Sequence, residues 1–320
     1  MYRRINMKTL DAIVQNMEKV IVGKRDVIEL LMVALLCDAH VLIEDVPGVG
    51  KTSLVSALAK SIQASFQRIQ FTPDTMPSDI TGFSMYHPKT GEFQYVPGVV
   101  MTHLLLADEI NRTSPKTQAS LLEVMEEKQV TIDGTTYPVP KPFMVLATQN
   151  PIEYLGTFPL PEAQLDRFLM KVSLGYPSPE EEMRMLGFFH HKDPLSTLTP
   201  VADIKDILYL QEQVNQIHMD PSLYKYIITI VSKTREQEDV RLGVSPRGSL
   251  FLAKASRAWA LYQGRSYVIP DDIKKMILPV LSHRLVVKQE ALIKKRTGKD
   301  IVCNIMESTP IPLVNAYEKK

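Results

Sequence analysis

Cysteine is scarce in this chain, and a surplus of charge is missing altogether. Its 320 residues include two cysteines, Cys37 and Cys303, which lie far apart and form no metal-type spacing. A disulfide scaffold is thereby excluded and a reducing compartment is expected; both residues read as buried small apolar groups rather than reactive thiols. Lys plus Arg total 37 against 36 Asp plus Glu, a net charge of +1, so no bulk field draws the protein to nucleic acid or to a membrane surface. The longest apolar stretches, such as Leu30 to Cys37, are too short for a bilayer span, and Met1 to Thr9 lacks the apolar core of a signal peptide. No membrane span and a cytoplasmic location are the expectations.

What is present is a hydrophobic fraction of 45%, enough to bury sizeable cores in a chain whose length suits about two domains. Composition switches near Tyr176. Before it, short apolar runs at Val41 to Ile43, Phe66 to Phe71, Leu104 to Ala107, Phe143 to Ala147 and Leu169 to Leu174 alternate with helical patterns, as in a parallel sheet covered on both faces. After it the periodicity is helical, over Asp203 to Gln216, Pro221 to Ser232, Pro246 to Tyr262 and Pro270 to His283. An earlier helix begins at Ser178-Pro179-Glu180-Glu181, where Ser178 is placed to cap and Pro179 to occupy the first turn. An α/β domain over 1–177 and an α-helical domain over 178–320 are expected, with the tail from Lys288 left unassigned.

Two hairpins interrupt the α/β half. Phe83 to Tyr86 and Glu92 to Tyr95 flank a turn-rich loop, and Gln129 to Ile132 and Thr135 to Pro138 flank Asp133-Gly134, a strong two-residue turn signal. They read equally as surface ribbons or as working elements.

The densest chemistry lies at Glu44-Asp45-Val46-Pro47-Gly48-Val49-Gly50-Lys51-Thr52, between an apolar strand and a helix-like segment. Such a loop turns backbone N–H groups inward and ends on a helix N-terminus, so donors and dipole hold phosphate charge together. Lys51 would reach the β/γ-phosphates and Thr52 a Mg²⁺ ion. The usual pattern opens with Gly where this chain has Asp45, and Asp tolerates left-handed backbone angles. A plain glycine turn with an exposed Lys51 is the simpler alternative. Further on, Leu104 to Ala107 runs into Asp108-Glu109, which places two carboxylates at the carboxyl edge of the sheet, where ligands of open α/β folds bind. Asp108 suits Mg²⁺, held mainly through water, and Glu109 suits a base for the attacking water; alternatively the pair caps the next turn.

The ordered set of motifs resembles the AAA+ ATPases, and most closely the MoxR family. The likeness runs from about Met17 to Arg284. Glu44 to Thr52 resembles Walker A, Leu104 to Glu109 Walker B, Thr148-Gln149-Asn150-Pro151 sensor 1, Leu160 to Phe168 the segment with the arginine finger, and Gly243-Val244-Ser245-Pro246-Arg247 sensor 2. Phe71-Thr72-Pro73-Asp74, leading to Pro77-Ser78-Asp79, resembles the family's helix 2 insertion. Asp45, unusual in generic loops, is usual in MoxR-type sequences.

The resemblance implies an ATP-hydrolysing, Mg²⁺-dependent protein with an AAA+ core and a helical lid, working as a ring, commonly a hexamer. It implies nucleotide contacts from Val22, Gly23, Pro47, Gly48, Val49, Gly50, Lys51, Thr52, Ser53, Asp108 and Asn150, with metal at Thr52 and Asp108. Lys51, Glu109, Asn150, Arg167 and Arg247 take catalytic roles, Arg167 as a finger reaching the neighbour's γ-phosphate and Arg247 acting in cis or in trans. Arg167 alternatively pairs with Asp166 or Glu162. Arg247 sits at a helix start, a poor place for a cation by the dipole rule, which speaks for a phosphate partner. The implied role is chaperone-like: remodelling or assembly of complexes, or metal insertion, with a protein client or an adaptor of the von Willebrand factor A type. A nucleic-acid-stimulated AAA+ motor is the alternative, disfavoured by the near-neutral charge, and a non-hydrolysing scaffold is a third reading. His190-His191 beside Asp193 is read as a helix end rather than a metal site, and Trp259 as core.

Overall fold

Alternation of side chains along the strands fixes how the layers stack. The computed structural model describes residues 2–150, 157–188 and 194–312. Its α/β half contains strands β1 (Val41–Glu44), β2 (Phe66–Gln70), β3 (Gly82–His87), β4 (Glu92–Pro97), β5 (Leu104–Asp108), β6 (Gln129–Ile132), β7 (Thr135–Pro138), β8 (Met144–Gln149) and β9 (Met170–Val172). Helices α1 (Tyr2–Glu18), α2 (Arg25–Leu36), α3 (Lys51–Ser61), α4 (Pro77–Thr81), α5 (Pro115–Glu127) and α6 (Glu162–Leu165) complete it.

The central sheet is parallel, in the order β2-β5-β8-β1-β9. Val41, Ile43, Leu104, Leu106, Met144 and Leu146 point into one core with α1, α2 and α3, whereas Leu42, Leu105, Ala107, Val145 and Ala147 point into a second core with α5, Phe71 and Phe168. Each of these side chains is almost wholly buried, contributing about 1.5–3 kcal/mol for the larger aliphatics. A polar residue at any of them would break one layer contact. The continuous apolar runs in the sequence follow from this two-sided burial.

The helical half comprises α7 (Pro179–Phe188), α8 (Ile204–Asn215), α9 (Pro221–Arg235), α10 (Pro246–Tyr262), α11 (Pro270–Leu281), α12 (Gln289–Ile293) and α13 (Gly298–Glu307). The cap read from sequence at its start forms: Ser178 Oγ accepts from the Glu181 N–H at 3.2 Å and Glu181 answers the Ser178 N–H at 2.8 Å, a reciprocal box. The core of this half is continuous with that of α1–α3, because α8 and α10 pack on α2. Trp259 is core, stacked on Tyr262. The unassigned tail contains α12 and α13, and Ile301, Val302 and Ile305 bury the latter against α9 and α11. Residues 313–320 of the tail, like His190, His191, Asp193 and Pro151, lie outside the described residues.

Both expected hairpins form, Tyr86 facing Phe93 in one and Ile132 facing Thr135 in the other. Asp133 and Gly134 have φ of 48° and 79°, the paired left-handed residues that such a turn demands. Tyr95 stacks on Tyr137 with ring centroids 4.2 Å apart, joining one hairpin to the other. Phe83, Met85, Tyr86 and Phe93 remain exposed. Both cysteines are free; Cys37 is buried, and burial pushes its thiol up to about 12. Among the described residues no helix is long and apolar enough to cross a membrane.

Candidate functional site

The phosphate-type loop leaves β1 at the carboxyl edge and enters α3 at Lys51. Gly48 and Gly50 have φ of 86° and 91°, so glycine is required at both. A Cβ at either would face open space, so the backbone conformation, and not crowding, is what calls for glycine there. Lys51 Nζ donates to the Asp45 carbonyl at 3.2 Å, which holds the amine over the loop. Thr52 and Ser53 follow in the first turn of α3.

Asp45 does something that its sequence position does not reveal. It is absent from the residues with positive φ, so the expected left-handed accommodation is not its role. Its buried carboxylate instead accepts from Ser173 Oγ at 2.9 Å, Leu174 N–H at 2.5 Å and Gly175 N–H at 3.0 Å. The loop is thereby pinned to the segment that leads from β9 into the helical half.

Across the same edge, β5 and β8 deliver Asp108, Glu109 and Thr148. Thr148 Oγ1 donates to Asp108 Oδ1 at 2.6 Å and accepts the Glu109 N–H at 2.8 Å. Arg68 of β2 holds the other Asp108 oxygen at 2.7 Å. Glu109 adopts φ 56°, ψ 50°, a left-handed conformation that a non-glycine residue sustains at a cost of roughly 1–3 kcal/mol. Its carboxylate meets Arg112 at 2.9 Å. In the sheet β5 and β1 are separated only by β8, so two strand spacings, about 10 Å, divide Asp108 from the root of the loop. That span suits one magnesium triphosphate. Among the described residues no group of three or more His, Cys, Asp or Glu side chains is placed to hold a metal ion. Asn150 follows β8 and is buried, one residue past Gln149, whose carbonyl accepts the Asp45 N–H at 3.3 Å.

Val22 and Gly23 lie between α1 and α2. Gly23, with φ 73°, packs against the Glu181 carboxylate of α7, so this turn meets the first helix of the helical half.

Arg167 and Arg247 are brought together, and not at this edge. The Leu169 N–H donates to the His40 carbonyl at 2.9 Å, just before β1. Arg167 therefore lies at the amino edge of the sheet, about 13 Å from the loop along the four residues of β1. Arg167 Nη2 reaches Glu126 Oε2 at 3.2 Å, and Arg247 Nη2 reaches Glu126 Oε1 at 2.5 Å. The alternative pairings of Arg167 are taken: Asp166 is held by Arg284 and by Ser245 Oγ, and Glu162 by Arg241. Arg284 is buried, also donates to the carbonyl of Phe168, and is lowered to about 10 by burial against the partly compensating Asp166.

Beneath the pair, His40 accepts the Val145 N–H on Nδ1 at 3.0 Å and reaches the Met125 carbonyl with Nε2 at 2.9 Å. Burial lowers it to about 4, with the Met125 bond opposing and Lys128 reinforcing the shift. Sequence reasoning placed the loop and the two acids at the carboxyl edge but did not foresee that Arg167 and Arg247 meet at the amino edge, and it missed Glu126, Thr148 as a bridge, and the Asp45 clamp. Glu126 carries no signal in one sequence, being one of several acids at the end of α5.

A family model described as the ATPase family associated with various cellular activities matches residues 40–170, and the model for the AAA lid domain matches residues 232–305. Over 94% of both lengths the chain is 53% identical to the uncharacterized protein YeaC of Bacillus subtilis. It is 42% identical to the chaperone MoxR1 of Mycobacterium tuberculosis, over 98% of this chain and 85% of the relative. With the protein MoxR of Paracoccus denitrificans the identity is 30%, over 83% and 85% of the two chains. A crystal structure of a candidate ATPase from Cytophaga hutchinsonii superposes with a TM-score of 0.89 at 36% identity, covering 97% of each chain.

Proposed function

The chain belongs to the MoxR family of AAA+ ATPases, and from that premise we propose that it hydrolyses Mg²⁺-ATP within a ring, a hexamer by family likeness, and uses the work to remodel a client protein. The observation that carries the reading is the facing pair at the carboxyl edge: the Gly50-Lys51 cradle on one side and the Asp108–Thr148–Glu109 bridge on the other.

In this reading the backbone N–H groups of Gly48, Val49 and Gly50 and the α3 dipole hold phosphate charge. Val22 and Gly23 border the base, Pro47 shapes the loop, and Ser53 lies behind it. Lys51 neutralises the β/γ-phosphates, and Thr52 with Asp108 would hold Mg²⁺, which supplies charge neutralisation at the phosphoryl oxygens. Thr148 fixes the Asp108 carboxylate while anchoring the backbone of Glu109, whose carboxylate takes a proton from the attacking water once it leaves Arg112. Asn150 orients that water. Arg167 and Arg247, at the far edge, serve a neighbouring copy's nucleotide, which makes the trans assignment of Arg247 the favoured one.

Residues 1–177 act as the core and 178–320 as the lid, with Asp45 transmitting displacement between them. A chaperone-like role in the cytoplasm, with a protein client or a von Willebrand factor A-type adaptor, follows by likeness to the named MoxR proteins and to their family. The exposed aromatics of the first hairpin offer a capture surface; client capture unchanged after deletion of Lys89 to Glu92 would refute that part. The nucleic-acid motor gains no support from the relatives. The central test is steady-state hydrolysis with Glu109→Gln and Lys51→Ala. Turnover near the parent rate in both would remove the reading, whereas the expected result is binding without turnover in the first and loss of nucleotide in the second.

A further inference from the structure

Glu126 is one carboxylate shared by two guanidinium groups at the mouth of a cavity of about 320 Å³. The cavity is lined by three cations, Lys128, Arg167 and Arg247, and two carboxylates, Asp38 and Glu126. Asp38 is occupied by Lys128, so among the described residues that line the cavity Glu126 is the carboxylate that meets both arginines, and its side chain is 40% exposed. Such a site is built but not closed. Like charges are held side by side by a single anion, with one positive charge unanswered, and the ion pairs are open enough to water to exchange. An incoming terminal phosphoryl group carries more charge and a third acceptor oxygen, and it satisfies both forks better than one carboxylate can.

We infer that Glu126 is a latch anion: it occupies Arg167 and Arg247 until the terminal phosphoryl group of a neighbouring copy's triphosphate displaces it, and so sets the threshold for triphosphate-driven assembly. This rests on the trans placement of the two arginines under Proposed function. The thermodynamic consequence is selective. Engaging a triphosphate requires breaking the Glu126 pairs, whereas contact with a diphosphate-loaded neighbour leaves them in place because no terminal phosphoryl group reaches them. Removing the charge at 126 therefore favours assembly only in the triphosphate state. A merely structural Glu126 would affect both states alike.

The experiment is sedimentation velocity on the full chain with Mg²⁺ and either a non-hydrolysable triphosphate analogue or ADP, comparing parent, Glu126→Gln and Glu126→Asp. With Glu126→Gln, the protein concentration for half-assembly with the triphosphate analogue is expected to fall about fivefold, the scale of two exposed ion pairs, with the ADP value unchanged. Glu126→Asp, which keeps the charge, should return toward the parent. An unchanged or raised threshold with the triphosphate, or equal shifts in both nucleotides, overturns the latch. Arg167→Ala and Arg247→Ala separate the two levels. If both assemble and turn over like the parent, the trans reading itself fails; if they lose triphosphate-driven assembly while Glu126→Gln leaves it unmoved, only the latch fails.

Discussion

Thr148 stands between Asp108 and the start of the next turn, its hydroxyl donating a hydrogen bond to the Asp108 carboxylate at 2.6 Å while accepting one from the Glu109 N–H at 2.8 Å. One buried hydroxyl thus sets the orientation of the proposed metal ligand and the backbone of the proposed base. Thr148→Val removes both bonds at nearly constant shape. A hydrogen bond to a charged group contributes about 1.5–3 kcal/mol, so kcat is expected to drop roughly tenfold or more. Nucleotide affinity, measured by fluorescent-analogue titration, should stay within about threefold of the parent, since the cradle is untouched.

Glu109→Gln keeps the size and the Arg112 contact but cannot take a proton. Turnover is expected to fall by about 10² to 10⁴, the usual leverage of a general base, with ATP still bound. Single-turnover hydrolysis together with filter binding separates the two effects. A variant that turns over at half the parent rate would move the base elsewhere.

Asp45→Ala removes three acceptor contacts from a buried carboxylate and leaves the Leu174 and Gly175 N–H groups without their partner. On the order of 3 kcal/mol of stability should be lost, read as a lower denaturation midpoint in urea. Asp45→Gly, which restores the generic loop sequence, should do no better, because the side chain's function is the clamp and not the turn.

Arg167→Ala should bind nucleotide as the parent does and lose the assembly-dependent part of the rate, by about 10³ or more if it meets the neighbour's phosphate. The measurement is specific activity against protein concentration. The parent curve should rise with assembly, and the variant's should stay flat.

Acidification offers a test of the amino edge. Folded His40 remains neutral down to about pH 4, while the unfolded residue takes a proton near its ordinary 6.5. Between those values the unfolded chain binds more protons, so stability falls as pH drops from about 6.5 to 4, by up to roughly 3 kcal/mol from this residue. His283, buried beside Arg284 and also held well below its usual range, adds in the same direction. His40→Asn retains an acceptor for the Val145 N–H and cannot charge. Its urea midpoint should depend less on pH in that window, and an unaltered slope would assign the effect elsewhere.

Most of the fold was legible because burial is written into the strands. Runs such as Leu104 to Ala107 are apolar at every position since successive side chains enter different cores, and Asp133-Gly134 admits little but a tight hairpin. The loop and the two acids were legible because each is a short local pattern that ends a strand at the carboxyl edge of the sheet. What sequence reading left open was set by contacts far apart in the chain. Arg167 and Arg247 are 80 positions apart and meet on Glu126, and no local pattern marks the convergence. Asp45 was misjudged because its partners, residues 173–175, come more than a hundred positions later. The tail eluded assignment because α13 is short and owes its burial to α9 and α11 rather than to a long periodic stripe.

The stacked rings of Tyr95 and Tyr137 couple two ribbons that the chain builds on separate helices. The first ribbon is rooted beyond Phe71 through α4, the second at the end of α5, and Thr117 on α5 donates to the Thr75 carbonyl at 3.0 Å near the other root. The two ribbons are thus joined twice, at their stacked rings and near their roots, so that displacing one without the other would have to break the Tyr95–Tyr137 stack.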